Sequence, residues 1–482
     1  MPHNVRVCII GAGVAGLKAA HTLLTAPNTP FGSTDVVVVE AQHRVGGRIK
    51  TDTTRSKLGA QYDLGASWFH DALNNSVLRE CVADGSFDVR SDGYFDDKTI
   101  AYYVLEVSGR LDAEEMKLRQ VVEDIESFIE IYYANHDSPD MLLRDVVGLY
   151  MEQQQAFLSE EQINYCSRMV RYLELWHGID HVHMSGKYAV MSHQGRNLYN
   201  RKGFSHLINL LMQTVGPSVL TGRPVKRIQR KSRGTSLRHI AETADGSVFS
   251  ADYLVVTVPH SVLTLDAGHE HGITWEPPLP RSMTDSILNM HFGALGKVVL
   301  EFESVWWDNN EDRFSILANG RAECGSGSAK PFEYPLYVVN YARIYAGTPS
   351  LVVLIQSPVT EHLEANPHLA WPYMRSMLLK LKVPTCITVP EPINVIVTDW
   401  SLNPYSRGSY CAPHVGDDPI DEVVQLSGEQ DLCGLGAGST VRFAGEHTIS
   451  HGAGCVHGAF DSGERAARWI LAHNESLNAA SL

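Results

Sequence analysis

At 482 residues the chain is longer than one compact core usually holds, so two domains are expected. Its 44% hydrophobic and 20% charged residues are those of an ordinary globular enzyme, and its apolar runs, such as Val36 to Val39 and Leu351 to Ile355, are too short to cross a membrane. A formal charge of −15 argues against nucleic acid as a partner and is compatible with steering a cation inward.

No charged leader precedes the strand-like run at Val5, and Ala480-Ser481-Leu482 lacks the lysine of the peroxisomal tripeptide, which makes the cytoplasm the expected compartment. The eight cysteines are scattered singly, with no CxxC pair and no Cys/His cluster at zinc spacing, so reduced thiols and no metal are expected.

In chain order, Val5 to Ile10 predicts a buried parallel strand, and Leu17 to Leu24 a helix. Between them stands Gly11-Ala12-Gly13-Val14-Ala15-Gly16. Gly11 permits a tight turn, Gly13 a close approach of backbone to a pyrophosphate, and Gly16 close helix–strand packing. The helix N-terminus then offers free N–H groups to phosphates. A second strand, Asp35 to Val39, ends in Glu40, an acid suited to ribose hydroxyls and unfriendly to a 2′-phosphate. Glu40 follows Gly11 by more than the usual ~20 residues, and the excess lies in the turn-rich loop Ala26 to Thr34.

Glu114 to Tyr133 and Leu142 to Tyr172 have helical period. Strands are expected at Ile240 to Phe249, Tyr253 to Val258, Lys297 to Phe302, Leu336 to Asn340, Leu351 to Gln356 and Val395 to Trp400. The tail from Val441 to Leu471 reads strand, glycine-rich turn, helix. The expected class is α/β: a Rossmann-like domain from residues 1–75, 196–272 and 398–472, interleaved with a mixed-sheet-plus-helix substrate domain from 76–195 and 273–397, and a tail at 473–482.

Ala41 to Arg48 (AQHRVGGR), Gly65-Ala66-Ser67-Trp68 and Arg442 to Thr448 (RFAGEHT) resemble segments of the flavin amine oxidase superfamily, which includes monoamine and polyamine oxidases. Tyr172 to Gly178, His193 to Asn197, His291 to Lys297 and Asn403 to Gly408 resemble, more narrowly, the fungal spermine/polyamine oxidases. The resemblance implies FAD as cofactor, a spermine-like cationic polyamine and O₂ as substrates, and a shorter polyamine, an aminoaldehyde and hydrogen peroxide as products. With the fingerprint, it assigns cofactor contacts to Gly11, Ala12, Gly13, Ala15, Gly16, Glu40, Ala41, Arg48, Gly65, Ala66, Ser67, Trp68, Val225, Trp400, Gly445, Glu446, Gly454, Cys455 and Val456. Lys297, which the family sets beneath the flavin N5 with a water, and His70 are the expected catalytic residues; His193, Asn197, Trp176, Tyr405 and His457 are the expected substrate contacts.

Three departures bear on specificity: His457 stands where the relatives have tyrosine, Phe460 where they have tryptophan, and Phe69 where a second histidine precedes His70. Where monoamine oxidases carry a flavin-tethering cysteine this chain has Ser409, so non-covalent FAD is expected. Another amine substrate, or a flavin fold that mainly binds an apolar ligand such as a steroid, are the alternative readings.

Overall fold

The computed structural model describes residues 2–134, 138–190, 195–230, 238–319, 329–428, 435 and 438–480. Its centre is a five-stranded parallel sheet in the order Val219–Leu220, Val36–Val39, Val7–Ile10, Tyr253–Val256, Val441–Phe443. The middle strands are continuously apolar and fully buried, as a parallel sheet covered on both faces requires. Helix Val14–Thr25 covers one face, packed between the helices Ser205–Val215 and Val456–Ala480. A second five-stranded sheet, running from His3–Asn4 through Val248–Ala251, His239–Thr243 and Val225–Gln229 to Thr274–Glu276, packs on the other.

Further along the chain lies a seven-stranded mixed sheet, ordered Asn394–Val397, Gly296–Glu301, Ser350–Ile355, Leu336–Asn340, Arg313–Ile316, Ile100–Tyr103, Arg110–Leu111. Its pairs are antiparallel except Arg313–Ile316 with Ile100–Tyr103. Helices Leu118–Ala134, Leu143–Gln154 and Glu160–Met169 form a separate apolar cluster beside it. The expected α/β class, with Rossmann-like and mixed sheets drawing on separated stretches of chain, is what the structure has.

Two expected elements are subdivided. The helical stretch Leu142 to Tyr172 is broken at Ser159, whose Oγ accepts from Gln162 N at 3.2 Å while Gln162 Oε1 accepts from Ser159 N at 3.0 Å. That reciprocal capping box starts a new helix. The strand Ile240 to Phe249 is a hairpin, His239–Thr243 and Val248–Ala251, because Asp245-Gly246 turns the chain with Gly246 at φ +81°.

Candidate functional site

The C-terminal ends of the parallel strands open into one long cleft, where open α/β sheets bind their ligands. Strand Val7–Ile10 runs into Gly11 at φ +108°, where a Cβ would lie 2.5 Å from Thr257 Oγ1. A Cβ at Gly16 would lie 2.0 Å from the Gly11 carbonyl oxygen, so only glycine lets the helix sit this close to the strand. At Gly13 a Cβ would meet nothing within 4 Å and would project into the cleft. Gly13 is also the N-cap of helix Val14–Thr25, with no side-chain cap and no acid in the first turn, which leaves the helix N-terminus to serve an outside anion.

Glu40, 6% exposed, accepts from Ala12 N at 2.7 Å and from Gln42 N at 2.8 Å. Burial pushes its carboxyl up from the ordinary range, with those N–H groups and Arg44 opposing. Arg48 Nη1 donates to Ser409 O at 2.6 Å and to Glu446 Oε1 at 3.0 Å, and Glu446 Oε2 accepts from Gly454 N at 3.2 Å. One arginine thus ties together three segments far apart in sequence. Free helix N–H groups, an open approach at Gly13, the cation of Arg48 and the acid of Glu40 fit the FAD that the sequence implies.

Lys297 opens the strand Gly296–Glu301 and is 4% exposed. Its ammonium donates to Asp63 O at 3.0 Å, Gly65 O at 2.5 Å and Ser67 Oγ at 2.6 Å, and lies 5.4 Å from the Trp68 ring centre. Burial pulls its pKa down to about 8 against the charge of Asp63, whose own carboxyl burial raises to about 6. The three ammonium protons are therefore committed to the Asp63–Ser67 segment. Trp68 and His70 face the cleft on either side of buried Phe69, as strand alternation demands. The Trp68 indole donates to Asp96 Oδ2 at 3.2 Å; Asp96 is 2% exposed, and burial raises its pKa to about 6.

Of the residues expected in the site, Gly11, Gly13, Ala15, Glu40, Ala41, Arg48, Gly65, Ala66, Ser67, Trp68, His70, Val225, Lys297, Trp400, Tyr405, Gly445, Glu446, Gly454, Cys455 and Val456 line the cleft. Ala12 and Gly16 stand just behind it, acting through the Glu40 hydrogen bond and the helix–strand contact. Tyr405 differs from the expectation of a substrate contact: its ring packs on His271 at 5.2 Å and its acidic neighbours are Glu270 and Glu40, which puts it at the Glu40 end, away from Lys297. His457 also differs. It is 1% exposed outside the cleft wall, with Nδ1 3.3 Å from Asn75 Nδ2 and Nε2 3.5 Å from Asp71.

Trp176 packs edge-on against Tyr337 outside the cleft wall, and its carbonyl accepts from the cleft residue Tyr410 at 2.5 Å. Asn197 is half-buried outside the wall. His193 lies outside the described residues. The departures Phe69 and Phe460 are core residues outside the cleft wall: Phe69 packs on Phe87 and Phe204, and Phe460 beneath the Lys18 ammonium at 4.2 Å.

Sequence reasoning missed Thr257, which follows a parallel strand and hydrogen-bonds Ile10 O and Gly11 O; the strand-end rule could have found it. It also missed Asp96, for which no local pattern exists.

Comparison with known proteins adds the following. The sequence profile of the family described as flavin containing amine oxidoreductase matches residues 14–471, so the chain belongs to that family. A corticosteroid-binding protein of Candida albicans is 47% identical over 97% of this chain and 96% of its own. Polyamine oxidase 4 of Oryza sativa subsp. japonica is 26% identical over 96% of this chain and 87% of its own. The solved structure of wild-type putrescine oxidase bound to putrescine superposes with a TM-score of 0.69 at 16% identity, covering 97% of this chain and 99% of that one.

Proposed function

From membership in the flavin containing amine oxidoreductases, we propose that this chain holds FAD without a covalent link and oxidises a carbon–nitrogen bond of a spermine-like polyamine, releasing a shorter polyamine, an aminoaldehyde and hydrogen peroxide. One observation carries the reading. A single cleft unites the dinucleotide cradle of Gly13, Glu40, Arg48 and Glu446 with an end built from Lys297, Trp68 and His70 and backed by the acid Asp96.

When bound, FAD supplies the two-electron acceptor for the carbon beside the nitrogen and passes the electrons to O₂. The protein's part is to orient, to exclude water and to manage protons. The π faces of Trp68 and Trp400 line the path of a cationic chain. The Asp96 carboxylate behind Trp68 attracts positive charge to that end. His70, an imidazole in the wall two residues from Trp68, is the group we assign to take the proton of the reacting ammonium, leaving a neutral nitrogen. Lys297 fixes the backbone from Asp63 to Ser67 that forms the floor.

Non-covalent binding is supported by the thiols. Ser409 lines the cleft with its Oγ between Gly293 O and Leu295 N, each at 3.0 Å, Cys411 is half-buried outside the wall with its thiol pushed up by burial, and Cys455, which does line the cleft, has its thiol pushed up to about 12 by burial. Purified protein should be yellow and should make peroxide with spermine, spermidine or their N-acetyl forms more readily than with simple monoamines. Protein that cannot be loaded with FAD, or holoenzyme that no amine reduces anaerobically, would overturn the proposal.

The 47% identity to a protein named for binding corticosteroids favours a second reading, in which the apolar cleft mainly retains a steroid. Tight corticosteroid binding with no bleaching of the flavin by any amine would select it.

A further inference from the structure

Behind the cleft runs a chain of oxidisable rings. Trp68, in the cleft wall, meets Tyr199 edge-on at 5.2 Å between ring centres. Tyr199 is 6.5 Å from Tyr345 directly, and 6.3 Å from Tyr341, which lies 4.6 Å from Tyr345. Tyr199 and Tyr341 are buried, at 4% and 1% exposure, and Tyr345 lines a second, solvent-open depression with Arg201 and Thr348. The rings thus connect the cleft to another part of the surface without a gap larger than van der Waals packing of aromatics allows.

Not every aromatic cluster here has this form. Phe302, Trp306, Trp307 and Trp371 pack as tightly, yet none of them lines the cleft. The Trp68 chain has an opening at each end, and each interior member is a phenol, which gives up an electron far more readily than a phenylalanine ring. We propose that Trp68, Tyr199 and Tyr345 form a hole-conducting path that carries one-electron oxidising equivalents out of the cleft to the second depression, protecting a peroxide-producing site. The proposal rests on the oxidase reading above.

The balance is as follows. A hydroxyl radical, formed with hydroxide when a ferrous-class reductant gives one electron to hydrogen peroxide, takes one electron from the Trp68 indole and, with a proton, ends as water. Tyr199 returns an electron to Trp68, and Tyr345 returns one to Tyr199, directly or through Tyr341. The Tyr199 hydroxyl interacts with that of Tyr341, and Tyr341's with that of Tyr345, so oxidation of Tyr199 sends one proton along these hydroxyls to water in the depression, and the reverse shift reprotonates Tyr199 when Tyr345 is oxidised in turn. At Tyr345 the O–H bond breaks. Its hydrogen-bond acceptor, Arg201 O at 2.6 Å, is a carbonyl and no base, so the proton leaves to water in the depression. A thiol or ascorbate-class reductant there donates a hydrogen atom and re-forms the O–H bond.

The test uses holoenzyme, a blue-light flash on the bound flavin as the probe oxidant, and hexaamminecobalt(III) to remove the electron from the cofactor. Electron paramagnetic resonance then locates the hole. The parent should give a tyrosyl radical that added thiol quenches. Tyr199→Phe should lose that signal and leave a tryptophanyl one, and Tyr345→Phe should lose the thiol sensitivity. A Tyr199→Phe variant that is folded, loaded with flavin and still gives the parental tyrosyl yield overturns the path, as does a parent without a tyrosyl signal. If the protein takes up no flavin, which absorbance shows first, the oxidase reading fails on its own. Azidyl-radical oxidation of the tryptophans, followed by growth of the tyrosyl absorbance in parent and Tyr199→Phe, then decides the path.

Discussion

Two glycines of one fingerprint should respond to alanine in opposite ways. At Gly16 the new Cβ would sit 2.0 Å from the Gly11 carbonyl and 3.0 Å from Thr257 Oγ1, both held by neighbouring strands. The helix propensity gained, about 1 kcal/mol, is outweighed by overpacking against rigid backbone, at or above the usual range of about 1–3 kcal/mol. Gly16→Ala should therefore lower the melting temperature of the apoprotein and the holoprotein alike. Gly13 is the opposite case. Its φ of −72° suits alanine, and a Cβ there meets nothing within 4 Å. Gly13→Ala should leave apoprotein stability within about 0.5 kcal/mol of the parent. The methyl enters the space through which the pyrophosphate approaches, and a penalty of about 1–3 kcal/mol weakens FAD binding roughly 5- to 150-fold. Thermal melts with and without FAD, with titration of apoprotein by FAD followed in flavin fluorescence, separate the two effects. Gly13→Ala that binds FAD as tightly as the parent would refute the placement of the pyrophosphate at this helix.

Other outcomes follow from the charged groups. Lys297 binds its proton more weakly in the folded chain, at about 8 against 10.5, so across that window the unfolded chain keeps a proton the folded chain has lost. Stability against unfolding should rise with pH there, the penalty being full below pH 8, and Lys297→Met should remove this rise in melting temperature measured across the same window. Asp96 ionises near pH 6, so kcat/KM for a polyamine should fall as pH drops through that value; Asp96→Asn, which keeps an acceptor for Trp68, should abolish this limb and weaken binding at neutral pH. Acid or heat denaturation should release free FAD into the supernatant, and colour retained by the precipitated chain would indict Cys455, the thiol that lines the cleft, before Cys411.

What could be read from the sequence was whatever depends on local geometry. Gly11 to Gly16, Glu40 and the strands Val7–Ile10 and Val36–Val39 announce themselves because a buried parallel strand must be continuously apolar and its turn must contain glycine. The break at Ser159 was equally local, a capping box within a charged helical stretch, and went unread because periodicity alone runs through it. Asp96 belongs to the other kind of feature. Its meaning comes from the Trp68 indole 28 positions earlier, and only the three-stranded sheet of Trp68–Phe69, Leu198–Asn200 and Gly93–Tyr94 brings the two segments together.

Tyr405 and His457 show how such long-range packing bears on substrate. Both are expected from resemblance as substrate contacts, yet contacts the chain position cannot express hold Tyr405 at the Glu40 end of the cleft and His457 outside its wall. Tyr405 is held by Asn403 Oδ1, which accepts from its backbone N at 2.9 Å while Asn403 Nδ2 donates to Gln42 at 3.0 Å, and this bridge ties the loop to the Glu40 end. His457 is held by Asn75, whose Oδ1 is already occupied as the N-cap of helix Ser76–Ala83, accepting from Leu78 N at 2.8 Å. Asn75 can then present only its Nδ2 to the imidazole, so Nδ1 of His457 accepts and the Nε2–H faces Asp71. With the ring buried outside the wall, His457 packs against the turn from Gly452 to Gly454. Among the described residues, Trp68 and His70 are cleft side chains near Lys297, with the carboxyl of Asp96 behind Trp68.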